Sequence, residues 1–127
     1  MLYYNDFFSY EQLFVIFLDL FYTLYGDSMK IEDAITDFIH YCLFEKGLTD
    51  QTIKSYQNDL DIYQGFLQEN GVEQVCDITS QNIKDFLKSR VSCESSSTVA
   101  HNLTVIKNFH KYLIKEEIVR DDVSLFI

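Results

Sequence analysis

The chain has no proline and only four glycines in 127 residues, so very little along it can break a helix or form a tight hairpin. Gly65 lies inside a periodic apolar pattern, whereas Gly26, Gly47 and Gly71 fall between patterns. Such a distribution speaks against a sandwich or barrel of many short strands and for a few long helices. Apolar residues make up 47% of the sequence, enough at this length for one domain around a single core.

Apolar spacing places those helices. Ile31, Ile35, Phe38, Ile39, Cys42 and Leu43 follow the i, i+3, i+4, i+7 rule of one helical face, and Gly47 stops the run. Thr49 is placed to cap a second helix with the stripe Ile53, Tyr56, Leu60, Tyr63 and Leu67, and Gly71 sits just past its end. Thr79 caps a third, with Ile83, Phe86 and Leu87 inside. A fourth starts near Ser97 and directs Val99, Leu103, Ile106, Phe109 and Leu113 inward. No run alternates with period two for long enough to be a strand. The expected fold is therefore all-α, with a four-helix core over residues 29–127. On these helices His40 reads as partly buried and His110 as exposed.

Residues 1–28 differ from the rest. The run from Leu13 to Tyr25 is aromatic and apolar on every side, interrupted by Asp19 and ended by Gly26-Asp27-Ser28. It is short for a membrane span and carries a charge in its middle. No basic residue precedes it and no small-x-small cleavage site follows, unlike a secretory signal. Three roles fit this apolar extension: an extra helix packed on the core, a membrane-surface or dimer element, or a segment upstream of a true start at Met29.

Charge is distributed unevenly. The net value is −10, which alone speaks against nucleic acid. Residues 1–28 carry four acids and no base, whereas Ser80 to Lys115 hold six bases and two acids, or +4. That asymmetry suggests one face for an anionic partner. Cys42, Cys76 and Cys93 are odd in number with no close pair, which fits free thiols in a reducing, cytoplasmic setting rather than a disulfide, metal or redox motif.

The segments between the stripes carry a family likeness. Glu45-Lys46-Gly47-Leu48-Thr49-Asp50-Gln51-Thr52-Ile53-Lys54-Ser55-Tyr56-Gln57-Asn58-Asp59-Leu60 resembles the E-K-G-L-S-x-x-T-I-x-x-Y-x-x-D-L signature of Xer-type tyrosine recombinases and phage integrases, in their N-terminal core-binding, or SAM-like, domain. Ile78 to Leu87 resembles the I-T-x-x-D-I-x-x-F-L of the same family. The stretch from Ser97-Thr98 to Leu113 resembles its next helix, and Ile118 to Val123 its I-x-x-D-P lead into an interdomain linker. Val123 replaces the proline, and His101-Asn102 stands where arginines are frequent.

The resemblance implies one arm of a clamp around duplex DNA, with the second and fourth helices facing the major groove. Ser97, His101, Thr104, Asn108, Lys111 and Lys115, spaced 4, 3, 4, 3, 4, form a polar stripe of groups suited to phosphates and base edges. Gln51, Thr52, Lys54 and Ser55 occupy the first turns of the second helix, where free N–H groups favour phosphate. Lys88, Arg90, Asn102 and Lys107 complete the expected contact set.

Catalysis by the family needs a tyrosine nucleophile with arginines, a lysine and histidines around the phosphate, groups that the resemblance places in a C-terminal domain. This chain has two arginines, Arg90 and Arg120, and no H-x-x-R. It also has no G-x-x-x-x-G-K, G-x-S-x-G or H-E-x-x-H. The expectation is a non-catalytic chain without cofactor or metal, whose partners are duplex DNA and, in the full-length family, the catalytic domain and other protomers. The competing expectation is a helical protein-interaction module, truncated or orphaned, that has lost DNA contact.

Overall fold

The computed structural model describes residues 8–21, 24 and 29–127, and every named element is a helix. They are α1 (Tyr10–Phe21), α2 (Ile31–Phe44), α3 (Asp50–Glu69), α4 (Ser80–Val91) and α5 (Ser96–Lys115), with a 3-10 turn at Val75–Asp77. Among the described residues strand pairing is limited to one isolated bridge between Lys30 and Gln74. That bridge, with Ile31 N–H donating to Glu73 O and Val75 N–H to Met29 O, clips the entry of α2 onto the α3–α4 loop.

Local chemistry sets the helix ends. Thr49 Oγ1 accepts from Thr52 N–H at 3.3 Å, and Ser95 Oγ accepts from Thr98 N–H at 3.3 Å. Thr79 and Asn82 satisfy each other's backbone N–H groups in a reciprocal box. Gly47 (φ 62) and Gly71 (φ 77) take the left-handed conformation that closes α2 and α3. Glu117 (φ 57) does the same after α5, letting Ile118 N–H reach Leu113 O at 2.9 Å. The chain then folds back. Ser80 Oγ donates to Val123 O at 2.7 Å, Ser124 is buried, and Ile118, Val119, Val123 and Ile127 pack on the core.

α3 and α5 each pack on the other three helices of the α2–α5 bundle, so the core is centred between them. Leu60, Tyr63 and Leu67 of α3 meet Ile35 and Phe38 of α2, Ile83 and Phe86 of α4, and Ile106, Phe109 and Leu113 of α5. Phe38 sits edge-on to Phe109 and stacks on Tyr56. α1 contributes nothing to this core, since none of its residues is buried. Of the three roles open to the apolar extension, the extra helix packed on the core is not what is found: the helix forms but is not packed inward.

Three sequence expectations are corrected. His110 is buried rather than exposed, and His40 is exposed rather than partly buried. On α5 the buried face is Asn102, Val105, Ile106, Phe109, His110, Tyr112 and Leu113, which leaves Val99 and Leu103 half-buried at its margin. The physical reason is common to His110 and the α5 face, whereas His40 stands on the solvent side of α2, opposite the stripe of Ile35, Phe38 and Cys42. Apolar periodicity assigns polar residues to the outside, yet a polar residue whose bonds are met inside can occupy the core. Tyr63 Oη lies 3.0 Å from His110 Nε2 in such a contact.

Burial holds the His110 imidazole down at about 4, the nearby Asp122 carboxylate offsetting this only in part. The same burial pushes the Tyr63 phenol up. With the ring neutral, one of its two nitrogens is an acceptor, and Nε2 shares a single proton contact with the Tyr63 hydroxyl.

Two outcomes are expected. Phe109→Ala costs about 3–5 kcal/mol in urea unfolding, whereas Leu103→Ala costs clearly less because its site is open to solvent. Because the folded pKa of His110 is depressed, the unfolded chain takes up a proton that the folded one refuses. Stability from this residue is complete above its ordinary 6.5 and is lost as pH falls toward about 4. The urea midpoint followed across that window checks this; a midpoint no more acid-sensitive than that of His110→Gln would refute it.

Candidate nucleic-acid interface

The site is assembled from α3 outward. Asp59 lies three residues after Tyr56 and four before Tyr63 on one helix face, beside Leu60, so its carboxylate is carried into the α3–α5 contact. There Oδ1 accepts from Asn102 Nδ2 at 3.0 Å, and Oδ2 lies 2.6 Å from His101 Nδ1 without the alignment of a hydrogen bond. Asn102 Oδ1 accepts in turn from Arg90 Nε at 3.3 Å, and Arg90 also pairs with Glu94 at 3.5 Å. One step along α3, Tyr56 Oη accepts from Asn108 Nδ2 at 3.3 Å, and its ring meets the edge of His101 at 6.4 Å. A polar seam thus runs from α4 through α5 to α3.

The seam sorts the expected contact residues. Asn102 is 1% exposed with its amide committed on both sides, so it braces the helices and has no free edge for a ligand. Its burial corrects its place among the surface contacts: the Asp59 carboxylate needs a donor there. Arg90 and Asn108 are half-buried and engaged in the seam. His101 is held by Asp59 but keeps 47% of its side chain in solvent. Ser97, Thr104 and Lys111 are exposed along the same side of α5, with Lys107 half-buried beside them. Thr104 Oγ1 turns back to Ala100 O at 3.1 Å. Lys115, the last member of the stripe, is taken by Glu45 and Glu116 and lies over the Tyr41 ring at 4.6 Å.

On α3, Gln51 and Lys54 are exposed and Thr52 and Ser55 half-buried. Thr49 already caps this end, and Asp50 places an acid in the first turn, so the helix terminus is partly neutralised. Lys88 is exposed on α4. Nothing brings Lys88 into the α3–α5 seam. The electrostatic character comes chiefly from α5, whose twenty residues include three lysines and no acid.

Sequence reasoning missed Tyr56 and Asp59 as site residues. Both stand in the signature Tyr56-Gln57-Asn58-Asp59-Leu60, and the available signal was an acid at a core spacing, one residue before Leu60. Among the described residues no three His, Cys, Asp or Glu side chains gather as metal ligands, and no helix is long and apolar enough to cross a membrane.

The phage integrase N-terminal SAM-like domain family matches residues 35–117, which contain the whole seam. The chain belongs to this family. Tyrosine recombinase XerD of Oceanobacillus iheyensis is 34% identical over 99 residues, 76% of this chain and 33% of the relative. XerC of the same organism is 30% identical over 88 residues, 68% of this chain and 29% of the relative. XerD of Staphylococcus haemolyticus is 29% identical over 98 residues, with 76% and 33% covered. The chain thus spans about a third of the length of the curated relatives it matches. In three dimensions it is similar to the N-terminal domain of a phage integrase/site-specific recombinase from Haloarcula marismortui, with a TM-score of 0.69 and 18% identity, over 76% of this chain and 91% of that one. The all-α SAM-like fold expected from the sequence is the fold of this integrase N-terminal domain.

Removing the brace has a defined cost. Asn102→Ala removes the donor to Asp59 Oδ1 and the acceptor of Arg90 Nε, and is expected to lower stability by about 1–3 kcal/mol in urea unfolding. Lys111→Ala, on the exposed face, should stay within about 0.5 kcal/mol of the parent.

Proposed function

We propose that residues 29–127 are the DNA-gripping arm of a cytoplasmic tyrosine site-specific recombinase, and that the outer face of α5 with the start of α3 lies against duplex DNA. The observation that carries this reading is the acid-free α5, turned by Asp59 so that Ser97, His101, Thr104 and Lys111 face outward together. Hydroxyls, an imidazole and ammonium groups on one helix face suit phosphate oxygens and base edges. Membership in the integrase N-terminal family supports this docking mode.

In this reading the contacts fall into three kinds. Lys54, Lys88, Lys107 and Lys111 neutralise phosphate, which sets affinity and salt dependence. Gln51, His101, Thr104, Ser97 and Ser55 are the candidates for base edges or water-mediated contacts. Thr52, Arg90, Asn102 and Asn108 hold the elements in place. Strand cleavage and exchange belong to the C-terminal part of such a recombinase, outside the third of the relatives' length that this chain spans, so the domain works as a clamp and not as a nuclease.

The arm alone binds weakly, because it is one of two arms and its net charge of −10 opposes approach. Fluorescence anisotropy with labelled duplex at low salt is expected to give a Kd near the weak end of the ~10⁻⁴ to 10⁻⁶ M non-specific range. Neutralising about four phosphates gives a log–log salt slope of roughly −3 to −4. Lys107→Glu or Lys111→Glu weakens binding to all sequences alike, whereas Gln51→Ala or His101→Ala changes preference among sites. No binding at millimolar protein would instead favour a helical protein-interaction module, the reading to which the net charge of −10 points.

A further inference from the structure

α1 is an encoded helix that buries nothing. Ser9 and Gln12 form a reciprocal box at its start, Gln12 N–H donating to Ser9 Oγ at 3.1 Å and Ser9 N–H to Gln12 Oε1 at 2.9 Å. Its residues nevertheless leave Tyr10 83%, Phe14 61%, Phe17 59% and Phe21 49% exposed. A helix this apolar in water needs a covering surface.

Every side of it is exposed, Val15, Ile16 and Leu18 included, but its polar groups gather on one side. Glu11, Gln12 and Asp19 share one side, and Asp19 pairs with Arg120 of the domain's own tail. The opposite side carries Tyr10, Leu13, Phe14, Phe17, Leu20 and Phe21. Tyr10 and Phe17 are seven apart, as are Leu13 and Leu20, and Phe14 and Phe21; exposed Leu24 keeps the interval from Phe17. A seven-residue repeat is the spacing of one helix laid along another.

We propose that this face is covered by α1 of a second copy of the chain, giving a two-fold homodimer. Area and charge both favour that occupant. Four rings of about 200 Å² each, at the exposures given, expose roughly 500 Å² per copy, so a self-paired seam covers about 1,000 Å², the approximate minimum for a specific interface. Leu13, Leu20 and Leu24 add to it. Glu11 and Asp19 stand away from the seam, so pairing brings no like charges together. A lipid surface suits the helix poorly: interfacial helices carry Lys and Arg on their polar face, and this one carries acids and no base.

Sedimentation velocity on the full chain, without DNA, tests the pairing. The parent is expected at twice the chain mass at micromolar concentrations. Phe14→Glu with Phe17→Glu should return it to the monomer, and Glu11→Lys, on the outer side, should leave the dimer intact. Far-UV circular dichroism and a cooperative melt verify that each variant folds, as expected when α1 contributes nothing to the core. Leu13→Arg, a single change on the same seam, is read in the same way should the double variant not fold. A parent that stays monomeric at several hundred micromolar, a species larger than a dimer, or a dimer indifferent to the seam variants overturns the proposal. So does a monomer that floats with vesicles containing anionic phospholipid.

Discussion

The arrangement of this domain hangs on one buried carboxylate. Asp59 is 8% exposed, in the contact between the two helices that touch all other parts of the bundle. A carboxylate there is costly unless donors meet it. Asn102 donates to one oxygen and His101 approaches the other, while Arg90 secures Asn102 from α4. Each of these groups depends on the next, so the three helices are positioned as a set. Apolar side chains alone would accept several rotations of α5 about its axis; Asp59 accepts one that brings Asn102 in and leaves His101 at the rim.

A second polar pair lies deeper in the same contact. Tyr63, one turn further along α3, meets His110, two turns further along α5. Two polar contacts separated along both helices restrict sliding as well as rotation, which a greasy interface of Leu60, Ile106 and Phe109 would resist less strongly. The neutral state of His110 follows from this position: burial disfavours the charged ring, and Tyr63 meets Nε2 inside the core. What the domain offers at its surface is therefore set from inside, by groups that never reach a ligand.

This division explains how much was legible in the sequence. Helix number, the caps at Thr49 and Thr79, and the glycine stops at 47 and 71 rest on local rules that need no tertiary information, and the family signature could be recognised as a string of residues. What could not be read was which polar residues are inside. Asn102 and His110 look like surface residues until Asp59 and Tyr63 are placed opposite them, more than forty residues away in sequence. Shifting the buried face of α5 to include them moved Leu103 to its edge. The start of α1 is local in the same way, since Ser9-Tyr10-Glu11-Gln12 is a capping pattern within an otherwise apolar stretch. Its lack of burial was not legible, because a helix apolar on all sides reads as core.

The acidity of the chain bears on the DNA-binding reading less than the sum of charges suggests. In physiological salt the Debye length is about 8 Å, so an exposed charge on one side of a small domain is largely screened at the other. Acids are spread over the N-terminal extension, α2, α3 and the segment after α5, whereas α5 itself has none. Within α5, Lys115 is diverted to Glu45, Glu116 and the Tyr41 ring, so the cations left for a ligand are those nearer its middle, Lys107 and Lys111. They sit beside His101 and Thr104, where contacts able to discriminate bases would also be made. A face with few cations placed among polar readers gains little from non-specific attraction, and so depends more on fit than a lysine-rich one does. In the proposed clamp, weak attraction by this arm would let the other arm decide where the pair closes.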